Sequence, residues 1–225
     1  MSGCPHCNHA SEAAPAVPVM EMLRSSTTEL HAAAEGHAFQ SSLIKGTLPR
    51  GLFARYLGQL FLVHTALEKA LETAAPSSPA IASVFKPHHR HSIRLAEDLR
   101  AYGLDAESQT PTPATAALIA EIERAAASEP TALLGHFYVL EGSMNGNSFI
   151  ARVVSKAYQI APGAPGLKYL DPYGAQQRPT WQAFKDAMNA CAFNERQQRT
   201  IVAAAQTMFR GISGISADML EPAHA

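Results

Sequence analysis

Arg24 and His31 stand seven residues apart in a stretch whose apolar residues recur at helical spacing. Seven residues advance about 10.5 Å along an α-helix and nearly complete two turns, so both side chains share one face. A histidine placed there can ligate a metal while the arginine reaches an anionic group about 10 Å away. Heme, with its iron and propionates, presents that combination. A core histidine bonded to a backbone carbonyl fits the same spacing. Further along, Gly142 and Gly146 are four apart and fall on one face of a helix. Without Cβ atoms they let a flat ligand, or another helix, approach the backbone closely. Ser143, Asn145, Asn147 and Ser148 surround them with groups that can bond ligand or water. Local helix propensity is poor, so the segment should bend or be held in place by packing. A histidine helix facing a glycine-kinked polar helix would make the two walls of a heme slot.

Helices must position these residues. The apolar pattern begins at Val19 and Met20 and continues through Leu23, Leu30 and Ala34. A second helix is expected from about Leu52 to Ala74, ended by Pro76 and Pro79. A third runs from about His88 to Tyr102, with Gly103 where a left-handed cap belongs. Ala114 to Ala127 is rich in strong helix formers, and Thr131 to Gln159 is the longest segment. Ala161 to Pro179, with four prolines and three glycines, reads as a loop over the surface. Two more helices are expected at about Thr180 to Ala192 and Glu195 to Leu220, the last opened by an Asn194–Gln197 capping box. No alternating strand pattern occurs. The expectation is an all-α domain of seven or so helices spanning 19–221, preceded by a flexible tail at 1–18.

Composition narrows the field. A net charge of −1, from 18 basic and 19 acidic residues, argues against a nucleic-acid binder. No apolar run reaches the roughly 18 residues of a membrane span, and the N-terminus does not read as a signal peptide, so a cytoplasmic location is expected. Three cysteines are too few for a disulfide scaffold. Cys4-Pro5-His6-Cys7-Asn8-His9 is a dense ligand cluster within the tail, tighter than usual zinc spacing. Cys191 reads as a small core residue. Among the ten histidines, His88-His89-Arg90-His91 reads as a solvated helix end, and His64 and His136 as packed.

The chain resembles the heme oxygenase family at these residues. Leu23-Arg24-x-x-Thr27-x-x-x-His31-x-x-Ala34-Glu35 is similar to the family's proximal helix. Tyr138-Val139-Leu140-Glu141-Gly142-Ser143-x-x-Gly146 is similar to the distal helix of its bacterial branch. Val63-His64-Thr65-Ala66-Leu67-Glu68 fits the second helix, and Met188-Asn189 through Thr207-Met208-Phe209 fits the C-terminal helices. The resemblance implies a single-domain, heme oxygenase-like helical fold. It implies His31 as axial iron ligand and Arg24 and Lys185 as propionate partners; Glu35, one turn after His31, is a candidate to bond the other ring nitrogen and fix the tautomer. The resemblance makes Tyr138, Gly142, Ser143 and Gly146 the distal wall where oxygen reacts. Gly146-Asn147 stands where the family usually has two glycines, Asn145 where a leucine is common, and Ser143 where some members have an acidic residue.

The implied reaction is oxidative opening of heme to biliverdin, carbon monoxide and ferrous iron. Heme is both substrate and cofactor, and it is consumed with O2 and electrons from a donor such as ferredoxin, flavodoxin or a reductase. A homodimer stays open. Two other readings also remain: a non-catalytic heme carrier or sensor, and a diiron or thiamin-type enzyme of the same topology, to which Glu35, Glu68, Glu141 and His136 could contribute ligands.

Overall fold

The computed structural model describes residues 17–221, so the Cys4–His9 cluster lies outside the described residues. Those residues form nine α-helices and no strand: α1 (Val19–Gly36), α2 (Ala38–Ile44), α3 (Arg50–Ala74), α4 (Pro79–Val84), α5 (Ser92–Ala101), α6 (Pro113–Ser128), α7 (Leu133–Tyr158), α8 (Gln177–Ala190) and α9 (Glu195–Asp218). Two of them, α2 and α4, go beyond the sequence expectation. His37 starts α2 by accepting the Phe39 amide on Nδ1, and Ser78 starts α4 by accepting the Ile81 amide. Gly103 takes φ +77° after α5, as its cap role requires. The Asn194–Gln197 capping box opens α9.

The central helix is α3. Phe53, Leu57, Val63, Leu67 and Leu71 on it are almost wholly inaccessible. Burial of each such side chain contributes about 1.5–3 kcal/mol. Against this core pack α5, α6 and α7, and α9 closes the bundle across α7, α6 and α1. The α7–α9 approach is close: a Cβ at Gly135 would overlap the Ile201 carbonyl oxygen, so only glycine fits there. Beside it His136 is fully buried, with neither ring nitrogen hydrogen-bonded among the described residues. Burial pushes this imidazole down to about 4.

In α1, the buried residues Val19, Met20, Leu23 and Thr27 all lie in the first half, and the second half is exposed or half-buried. By contrast α7 runs unbroken through Gly142 and Gly146, held by a row of buried residues that includes Leu140, Glu141, Met144 and Ala151.

Three expectations are corrected. The 161–179 segment does not run wholly over the surface: its two ends are exposed, but Leu167, Tyr169 and Leu170 in its middle are buried. The Asp98 carboxylate, on α5, draws it inward by accepting the backbone N–H groups of Gly166 (2.6 Å), Lys168 (3.0 Å) and Tyr169 (2.8 Å). The His88–His91 run is not a solvated helix end either. His88 is exposed, but His89 and His91 are 3% and 1% exposed, in a turn that precedes α5. Glu68 on α3 causes this, accepting the backbone N–H groups of His91 (2.7 Å) and Ser92 (3.0 Å). Cys191 is half-buried rather than core, with Sγ 3.2 Å from the Ala187 carbonyl oxygen.

Candidate active site

A cavity of about 720 Å³ opens between α1 and α7, within the roughly 300–1,000 Å³ range of small-molecule sites. All eight site residues expected from the sequence line it: Arg24, His31 and Glu35 from α1, Tyr138, Gly142, Ser143 and Gly146 from α7, and Lys185 from α8.

The His31 side chain is 59% exposed and, among the described residues, bonds no backbone carbonyl, unlike a core histidine. Its Nδ1 lies 3.6 Å from Glu35 Oε1, one turn on, and Phe209 of α9 meets its ring edge-on at 5.9 Å. Among the described residues neither Arg24 nor Lys185 forms an ion pair. Both cations are therefore available to an anionic ligand.

On the opposite wall, a Cβ at Gly146 would meet nothing within 4 Å, and one at Gly142 would only touch Trp181 at 3.4 Å. Gly146 therefore bares helix backbone to empty space, which a helix–helix contact would have filled. Most polar groups around the two glycines are engaged. The Ser143 hydroxyl donates to the Leu140 carbonyl oxygen at 2.7 Å. Asn145 donates from Nδ2 to the Gly142 carbonyl oxygen at 2.9 Å and accepts from Gln177 at 3.2 Å. Asn147 Nδ2 faces Met144 Sδ at 3.5 Å.

Sequence reasoning missed Gln40, Tyr56 and Tyr169. Gln40 of α2 lines the cavity and donates to the Tyr56 hydroxyl and to Ser216 Oγ, each at 3.2 Å. Tyr169 comes from the corrected loop, and no local signal marks it. Its hydroxyl meets His64 Nε2 at 3.1 Å.

Behind this wall lies a second buried pair. His91 Nε2 and the Tyr173 hydroxyl both reach Glu141 Oε2, at 3.1 and 3.2 Å. Burial pushes the His91 imidazole well down and the Glu141 carboxyl up, which favours the uncharged forms of both. These groups do not make a diiron centre: among the described residues no three His, Cys, Asp or Glu side chains gather as metal ligands. No helix of the described residues is long and apolar enough to cross a membrane.

Known proteins share this architecture. Residues 18–215 match the family described as Heme oxygenase. Heme oxygenase 2 of Synechocystis sp. is 28% identical over 195 residues, covering 84% of this chain and 78% of the relative. The structure of heme oxygenase from Leptospira interrogans superposes with a TM-score of 0.82 at 26% identity, over 89% of this chain and 99% of that one. Synechocystis heme oxygenase-2 in complex with heme and NO gives a TM-score of 0.84 at 25% identity, over 90% of this chain and 85% of that one. The family match spans the helices that carry both cavity walls, and on that ground the chain belongs to the heme oxygenase family.

Proposed function

We propose that this chain performs its family's biliverdin-producing heme degradation in the α1–α7 cavity, with His31 as the iron ligand. The observation that carries this assignment is the pairing of an accessible imidazole on α1 with the bare backbone at Gly146 on α7. Two unpaired cations on the cavity lining, Arg24 and Lys185, suit the propionates. The residues present therefore fit heme.

Bound heme supplies the iron at which oxygen is reduced and the ring that is oxidised. The protein supplies orientation. Glu35, whose carboxylate faces His31 Nδ1 at 3.6 Å, favours the tautomer that leaves Nε2 for the iron. Arg24 and Lys185 fix the ring's rotation and so select the edge that faces α7. Gly142 and Gly146 let that edge lie against backbone, and Tyr138 and Trp181, 6.0 Å apart, close one side of the cavity. Electrons come from an external donor such as a ferredoxin, a flavodoxin or a reductase, in the cytoplasm. The low cysteine count supports that location.

The test mixes purified chain with hemin, then supplies ascorbate or reduced ferredoxin under air. A Soret band that bleaches to broad red absorbance is expected. A stable Soret band would instead identify a carrier or sensor. In His31→Ala the axial histidine signature of the ferric spectrum should vanish, and an unchanged spectrum would refute the ligand assignment.

A further inference from the structure

We infer that His64, held by Glu68, is a positioning residue that decides whether the Tyr169 hydroxyl donates into the cavity or accepts from it. The inference rests on the heme reaction proposed above. It starts from what is left on the distal wall. The Ser143 donor is spent on a backbone carbonyl of α7 itself, and Asn145 gives one of its two Nδ2 protons to another. Tyr169 lines the same wall, 3% exposed, with Ser143 approaching its hydroxyl. Asp98 fixes its backbone, so the ring has little freedom to swing away.

Behind Tyr169 the bonds run in one line. The Tyr169 hydroxyl meets His64 Nε2 at 3.1 Å, and His64 Nδ1 faces Glu68 Oε1 at 3.5 Å. Glu68 also collects the backbone N–H of His91 at 2.7 Å, that of Ser92 at 3.0 Å and the Ser92 hydroxyl at 2.5 Å. Burial alone would raise the Glu68 carboxyl. The donors of His64 and Ser92 outweigh it and hold the group below its usual range, as a carboxylate.

That carboxylate fixes the logic of the imidazole. A neutral His64 keeps its proton on Nδ1, toward Glu68, so Nε2 accepts the Tyr169 O–H and the phenol shows the cavity only its oxygen lone pairs. A second proton on Nε2 reverses the bond. His64 then donates to the Tyr169 oxygen, and the phenol O–H turns away from His64, toward Ser143 Oγ and the cavity. When a cavity acceptor takes the phenol proton, the Nε2 proton moves to the Tyr169 oxygen and His64 returns to its neutral form. One proton has then left the imidazolium and one has reached the acceptor, and water entering the cavity reloads the pair by the reverse path. The other groups near His64 are His91, whose ring centre lies 5.5 Å away, and the Glu141 carboxyl, with Tyr173 and Arg94 beyond them.

Two measurements test this. In the heme-free chain, nitrogen-15 NMR of the histidine rings should find neutral His64 protonated on Nδ1. The Nε2 resonance should move in Tyr169→Phe, and the preference for Nδ1 should weaken in Glu68→Gln. Protonation on Nε2, or no response to Tyr169→Phe, would overturn the inference without touching the heme assignment. In the ferrous heme complex with carbon monoxide, the C–O stretch should show two bands, one for each orientation of the Tyr169 hydroxyl, whose ratio changes with pH. Tyr169→Phe and His64→Phe should each leave one pH-independent band, and biliverdin formation in Tyr169→Phe should fall on the order of 10²-fold. Two interchanging bands in Tyr169→Phe would overturn the inference. A wild-type chain that shows no Soret band with hemin would overturn the function on which it rests.

Discussion

Gly146 offers a substitution with opposite effects on the protein and on its reaction. It lies inside α7, where glycine costs about 0.8–1 kcal/mol relative to alanine. A Cβ at this position meets nothing within 4 Å, so Gly146→Ala introduces no clash to offset that gain. The heme-free chain should become more stable by up to about 1 kcal/mol, which for a chain of this size raises Tm by roughly 2–4 °C. The same methyl points into the cavity, where the reading above lays the ring edge against backbone. Overpacking there costs typically about 1–3 kcal/mol, or roughly 5- to 150-fold in affinity or rate. Thermal melts of the heme-free chain by circular dichroism read the first effect. Hemin titration and biliverdin yield with reduced ferredoxin read the second. Gly142→Ala is the internal comparison: its methyl meets Trp181 at 3.4 Å, an ordinary contact, so it projects against a side chain instead of open space. A Gly146→Ala chain that melts lower would mean the site is packed. One that melts higher but turns over heme normally would remove Gly146 from the distal wall.

Acid should destabilise the fold through its buried histidines, His89, His91 and His136. Burial holds His89 and His136 at about 4, against 6.5 for a free histidine, so between these values the unfolded chain binds protons that the folded chain does not. Stability is therefore full above about pH 6.5 and falls as pH drops toward 4, by about 3 kcal/mol for each group, and urea melts of wild type and His136→Phe across that window should differ in slope. Arg24→Gln and Lys185→Gln should each weaken hemin binding by about 0.5–1 kcal/mol, less in high salt because both groups are partly exposed, and should change the mixture of biliverdin isomers. Asp98→Ala strands three amide donors at once and should cost about 3 kcal/mol or more in chemical denaturation, with loss of the Tyr169 position seen by NMR.

Legibility followed sequence distance. His31, Glu35 and Arg24 share one helix, and so do Tyr138, Gly142, Ser143 and Gly146, so a 3.6-residue period suffices to group them. Lys185 came through the family resemblance, and the structure puts it on the same cavity. Tyr169 was hidden because its place in a loop depends on Asp98, 71 residues earlier on α5. His91 was misread for the same kind of reason: Glu68, 23 residues away, pulls its turn into the core. The missed helices α2 and α4, of 7 and 6 residues, complete too few turns to show a period; their side-chain caps, and Pro79 at the first position of α4, were the available signals.

The uneven burial of α1 has a mechanical consequence. Its first half is clamped into the core by Val19, Met20, Leu23 and Thr27, and the half that carries His31 and Glu35 projects beyond the clamp. The helix is thus a cantilever with its functional load near the free end. Few buried contacts resist small deflections of that end, so the slot can widen while the core stays intact. A rigid flat guest that bridges the free end to α7 would stiffen the beam, and its departure would restore the compliance needed to admit the next.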